Sequence, residues 1–253
     1  MIKFFRKIRQ KLLSENKFSK YLIYAIGEII LVVIGILIAL QINNWNENRK
    51  RSNEELSILK DLKKGLEADL SDLNYNVNCL TLNLSVADKV ISHLKSDEPY
   101  NDSVAIQFGK MMFPYKFVYS TSAFETLKSK GLDLIKNQKL RDAIVEVYDS
   151  RYKFFTETEK TILLDEVERG YQNVFSTRFE ESFVVDFSKK DYGLWLKPLD
   201  FEALKTDKEF LYYIKSYRNR LHVFINFHYK GVIIVRVENL INFLEKEITN
   251  FEQ

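Results

Sequence analysis

The chain has 253 residues, 46% of them hydrophobic and 14% aromatic, and that supply of core-forming side chains excludes a disordered protein. Eight Gly and three Pro are too few for a turn-rich β fold and favour long helices. The net charge of +3 is concentrated at the start: residues 1–20 hold seven Lys/Arg against Glu15, whereas residues 29–253 carry −2, which argues against a nucleic-acid partner.

The N-terminal arm, residues 1–20, repeats Ile2, Phe5, Ile8 and Leu12 at helical spacing among Lys3, Arg6, Lys7, Arg9 and Lys11. This pattern suits a short helix lying on an anionic lipid surface, and it serves equally as a plain topology signal. Residues 21–42, YLIYAIGEIILVVIGILIALQI, contain a single charge, Glu28. At about 1.5 Å per residue such a helix crosses a hydrocarbon layer of roughly 30 Å. Tyr21 and Tyr24 at one edge and Trp45 beyond the other suit the two interfaces. The apolar run is too long for a signal peptide and no A-x-A site follows, so an uncleaved anchor is expected.

Seven Lys/Arg precede the span and four (Arg49, Lys50, Arg51 and Lys60) lie in residues 43–62. The bias places the N-terminus in the cytoplasm and residues 43–253 outside it, which in a Gram-negative bacterium means an inner-membrane anchor and a periplasmic domain. Within the span, Gly35 and Ala39 fall within about 20° of Glu28 on a helical projection. An ionisable group at that depth is costly, and a small-xxx-small pair lets helices approach closely. The shared face reads as a contact with a second copy or with another membrane protein. Passive tolerance of Glu28 near the helix start, or coupling to protons, are the other readings.

Beyond the span nothing interrupts the helix. From Leu66 the apolar positions Leu66, Leu70, Leu73, Val77, Leu80, Leu84, Ala87, Ile91 and Leu94 alternate spacings of four and three, a seam four heptads long. Its flanks (Asn74, Asn76, Thr81, Asn83) are uncharged and Leu82, Val86 and Val90 widen it. A helix buried in its own bundle is therefore favoured over an intermolecular coiled coil. Cys79, the only cysteine, forms no internal disulfide and is expected as a buried small apolar residue on this helix. Asp97-Glu98-Pro99 ends the helix.

Residues 100–136 read as an irregular connection in which Met111–Tyr119 packs under the bundle, Ser122-x-x-Glu125 caps a short helix and Gly131 stops it. A second long helix is expected over 138–178, with Leu140, Ile144, Val147, Tyr148, Tyr152, Phe155, Ile162, Val167, Tyr171 and Phe175 inward. Residues 180–198 form another connection. Thr206-x-x-Glu209 then opens a third long helix, about 207–250, whose stripe runs Phe210, Ile214, Tyr217, Leu221, Phe224, His228, Val232 and Val235. Its segment GVIIVRV is β-prone by composition but lies between helical neighbours. The expected fold is all-α: a transmembrane helix continuing into an antiparallel bundle of three long helices with shorter connecting helices.

No catalytic or cofactor motif is present. His222 and His228 are six residues apart, about 120° apart on a helix, and do not form an i,i+4 metal pair. There is no G-x-S-x-G, P-loop or dinucleotide turn. No enzyme activity, metal or cofactor is expected. Tyr148, Tyr152, Phe154, Phe155, Tyr212, Tyr213, Tyr217 and Phe224 either form a dense aromatic core or line a ligand pocket between helices.

Two segments carry a resemblance. SKYLIYAIGEIILVVIGILIALQINNWNENRK and TSAFETLKSKGLDLI resemble blocks of a family of uncharacterised bacterial membrane proteins, mainly from the Bacteroidota, defined only as a domain of unknown function. The resemblance implies an inner-membrane protein and supplies no mechanism and no catalytic residue. The leading expectation is a membrane-anchored interaction or scaffold module, a subunit of an oligomeric assembly; the alternative is a sensor domain that binds a small ligand.

Overall fold

The computed structural model describes residues 18–186 and 191–253. The chain divides into two compact units, Met1–Glu55 and Leu56–Gln253. The arm residues Lys3, Arg6, Lys7, Arg9 and Lys11 lie outside the described residues.

In the first unit the described residues belong to helix α1, Phe18–Leu94, whose 77 residues continue into the second. Its N-terminal part has a mean hydropathy of 2.7 over the most apolar 18 residues and none of that window is buried. It is long and apolar enough to cross a membrane once.

The second unit is all-α in class and holds one two-stranded hairpin. After α1 come α2 (Asp102–Met111), an extended strap over 113–120, α3 (Ser122–Lys130) and a 3-10 turn (Leu132–Leu134). The long helix α4 runs over 138–175 and the hairpin β1 (Phe179–Asp186) and β2 (Asp191–Pro198) follows. A short α5 (Phe201–Thr206) leads into α6, over 208–252. The three long helices expected from periodicity are all present, and the β-prone GVIIVRV segment is helical.

Helix ends follow local chemistry. The Asn101, Asn137 and Asp207 side chains accept from the backbone amides of Ser103, Leu140 and Phe210 and cap α2, α4 and α6. Two expected caps are displaced: Asp207, not Thr206, caps α6, and Thr121 precedes α3 without a side-chain cap bond. Gly131 does stop α3, at φ 98°, where other residues would be strained.

α6 runs antiparallel to α4. Asn137 at the start of α4 meets Glu247 near the end of α6, and Tyr213 near the start of α6 donates to the Glu166 carbonyl. It also runs antiparallel to the α1 segment of this unit, through Lys63–Glu245 and Arg218–Asp88. α1 and α4 therefore point the same way, and the chain between them must return along the bundle. The strap is that return.

Both α4 and α6 carry wider turns of π type, at Glu146–Arg151, Lys160–Leu164 and Tyr171–Phe175 in α4 and at Phe224–Ile233 in α6. An extra residue in a turn rotates everything after it. That is why the buried stripe of α6 follows the expected Phe210, Ile214, Tyr217, Leu221 and Phe224 and then departs from it. Tyr229, Ile233 and Val237 are buried, while His228 and Val232 are half-buried and Val235 is exposed. In α4 Leu163 takes the place expected for Ile162.

The hairpin replaces the expected connection at 180–198, with Phe179 paired to Pro198, Glu181 to Leu196 and Phe183 to Leu194. It packs on α2, a helix the sequence reading missed, at Gly109. A Cβ there would stand 1.7 Å from the Leu194 carbonyl oxygen, so only glycine permits this approach.

Candidate functional site: a strap held by buried carboxylates

α1 has a second seam beside the apolar one. Leu62, Asp69, Asn76, Asn83 and Val90 repeat every seven residues and are all buried. The three polar members face the strap. Fourteen residues of helix from Asp69 to Asn83 rise about 21 Å, and seven steps of extended chain from 113 to 120 cover about 23 Å, so the two run side by side.

The contacts follow in order, antiparallel. Asn83 Nδ2 donates to the Phe113 carbonyl (2.8 Å) and Asn76 Nδ2 to the Lys116 carbonyl (3.4 Å). The Val118 amide donates to Asp72 Oδ2 (3.1 Å) and the Ser120 amide to Asp69 Oδ1 (2.8 Å). From the other side, Glu159 on α4 accepts from the Phe117 amide (3.0 Å) and from the Tyr229 hydroxyl of α6. Tyr152 donates to Asp69 Oδ2 (2.9 Å), and Tyr217 donates to the Met111 carbonyl just before the strap (2.7 Å). Phe117 is buried against Tyr152 and Phe155. The strap lies on the bundle surface with Phe117 turned inward; an extended segment laid on helices has no sheet ladder to satisfy its inward amides and carbonyls, and these side chains substitute for one.

The carboxylates are offset mainly by hydrogen bonds. Burial raises the Asp69 pKa to about 6, against the lowering effect of the Ser120 amide and the Tyr152 hydroxyl, with Asp72 adding repulsion. Burial also raises Glu159, which Tyr229, the Phe117 amide and Lys116 oppose. Burial pushes Tyr152 and Tyr229 far up, so both remain hydroxyl donors. Among the described residues no basic side chain forms an ion pair with Asp69, Asp72 or Glu159.

The expected position of Met111–Tyr119 under the bundle matches the strap, while Asp69, Asp72 and Glu159 carry no expected role. The signal available was the seven-residue repeat of Asp69, Asn76 and Asn83. Glu159 was legible only as a gap in the α4 stripe between Phe155 and Leu163. The expected contact residues, Glu28, Gly35 and Ala39, lie on α1; Glu28 is partly covered, Gly35 and Ala39 are exposed, and a Cβ built on Gly35 meets open space. Cys79, expected to be buried, is only half-buried on α1, because it lies beside the apolar seam and not in it.

Most of the aromatic residues fill the interior. Tyr148 stacks on Phe124 at 4.7 Å and Phe155 meets Tyr229 edge-on at 4.8 Å, while Phe154 and Tyr212 are exposed. A depression of about 840 Å³ lies instead on α6 between Asn239 and Asn250, away from those rings. The histidines are scattered: His93 faces Glu98 at 3.1 Å and His228 stacks on Phe224. Among the described residues no three His, Cys, Asp or Glu side chains are arranged to hold a metal ion.

A family model described as a family of unknown function, DUF6090, matches residues 28–192, well over half of the chain. The matched stretch takes in Glu28, the polar seam, the strap, Glu159 and most of the hairpin. No curated protein and no solved structure matches.

Proposed function

The chain belongs to this family of unknown function, and from that premise we propose that it is a membrane-anchored interaction module, not an enzyme, serving as a subunit of a homo- or hetero-oligomeric membrane assembly. One observation carries the reading: the apolar part of α1 is unburied throughout its most apolar 18 residues. Lipid or another helix must cover such a surface. Glu28, Gly35 and Ala39 supply a face on which a second helix packs closely. The basic excess of residues 1–20 favours a cytoplasmic N-terminus at an anionic inner leaflet, with the bundle outside the cytoplasm, periplasmic in a Gram-negative cell.

The test is the mass of the detergent-extracted full-length protein, wild type beside Glu28→Leu and Gly35→Leu, with co-purifying proteins identified. A defined complex that either substitution dissociates supports the assembly face. A monomer indifferent to both overturns it. Orientation is read separately, from reporter fusions at residue 253 and before residue 18.

A further inference from the structure

We propose that the strap 113–120 is a proton-controlled latch, held firmly when Asp69 carries a proton and loosened when Asp69 ionises. The geometry supports this independently of the assembly reading. Three consecutive anchor points of the strap, the amides of Phe117, Val118 and Ser120, end on three carboxylates, those of Glu159, Asp72 and Asp69. Asp69 and Glu159 are almost wholly buried. A backbone amide held by a carboxylate is a strong hydrogen bond, but a buried carboxylate without a counter-cation costs free energy that a neutral carboxyl does not.

The proton can be placed without moving the strap. Ionised Asp69 accepts at both oxygens, from the Ser120 amide and the Tyr152 hydroxyl. When one proton from solvent binds Oδ2, that oxygen becomes the donor and the Tyr152 hydroxyl rotates to accept. Oδ1 keeps the Ser120 amide, and the buried charge is gone. The groups facing Asp69 are Asp72 on its own helix, Tyr148 and Tyr152 on α4, and the strap's Ser120 amide. Tyr119 of the strap faces Tyr152. Those facing Glu159 are Tyr229 of α6, Asp72 of α1, and Lys116 and the Phe117 amide of the strap. The only cation of the set is Lys116, on the moving element itself. With the Asp69 pKa raised to about 6 by burial, the change of state falls in a mildly acidic range, one that an extracytoplasmic domain would experience.

Hydrogen–deuterium exchange of the full-length chain in detergent tests the latch, following the peptide that covers 113–120 at pH 5, at pH 7.5 and at steps between them after correction for intrinsic exchange rates. The opening equilibrium of the wild-type strap is expected to rise about tenfold from the lower to the higher pH, from the displacement of the Asp69 pKa. In Asp69→Asn, whose amide accepts from Ser120 and donates to Tyr152, the strap should stay protected at both. Tyr152→Phe removes a bond that lowers the Asp69 pKa and should move the midpoint upward. Equal wild-type protection at the two pH values overturns the proposal. So does a pH response undiminished in Asp69→Asn, or a midpoint unmoved in Tyr152→Phe.

Discussion

α1 carries two seams with the same seven-residue repeat, and they work by different physics. The apolar seam through Leu66, Leu73 and Leu80 is buried by hydrophobic contact, which is non-directional and tolerates any well-filling side chain. The polar seam through Asp69, Asn76 and Asn83 is equally buried, yet each member exists to complete a particular strap group. The first seam makes a bundle; the second decides which stretch of chain lies on it and in which register.

Substitutions separate the two. The largest effect is expected for Leu73→Ala, which empties a fully buried site and should cost about 2–5 kcal/mol in denaturant unfolding at every pH. A small, pH-dependent loss would show that the apolar seam is no better packed than the polar one.

The polar seam should respond with the opposite sign. The folded pKa of Asp69, about 6, lies above its ordinary 3.8, so the folded state binds the proton more tightly. The stability this provides is fully present below about pH 4 and is lost as pH rises through 6. The wild-type protein should therefore lose roughly 1.4 kcal/mol between pH 5 and pH 7.5. Asp69→Asn should remove that loss and be the more stable of the two at pH 7.5. A destabilised Asp69→Asn at pH 7.5 would mean that the ionised carboxylate is worth more to the strap than its burial costs.

Tyr217→Phe deletes one neutral hydroxyl donor to the Met111 carbonyl and is expected to cost about 1 kcal/mol, without pH dependence between 5 and 7.5. The smallest effect belongs to the outer surface. Arg218→Ala breaks a solvent-facing pair with Asp88 and should change stability by no more than about 0.5 kcal/mol, vanishing in high salt.

The apolar seam was readable because hydrophobic periodicity reports the face a helix buries. The reading failed where geometry inserted a residue. His228, Val232 and Val235 continue the α6 stripe on an ideal helix, but the wide turn at Phe224–Ile233 hands the buried face to Tyr229, Ile233 and Val237. Nothing in the local composition announces that turn. It places the Tyr229 hydroxyl on Glu159, a contact between residues 70 positions apart. The hairpin was missed for a related reason. Phe183-Val184-Val185 stood out as apolar, but its strand partners become evident only once Gly109 lets β2 press against α2.

Local patterning sets the all-α class, the three long helices, the apolar segment fit to cross a membrane and the heptad seam, because each is a periodicity or run imposed by one turn of helix on the next. Tertiary packing is what makes Asp69 and Glu159 buried acceptors, and Asp72 a half-buried one, where the sequence shows only carboxylates of the kind that line a solvated helix face. The reason is that a carboxylate's environment is set by the groups brought against it from distant positions. Here those groups come from a strap about 50 residues downstream of Asp69 and from tyrosines on two other helices.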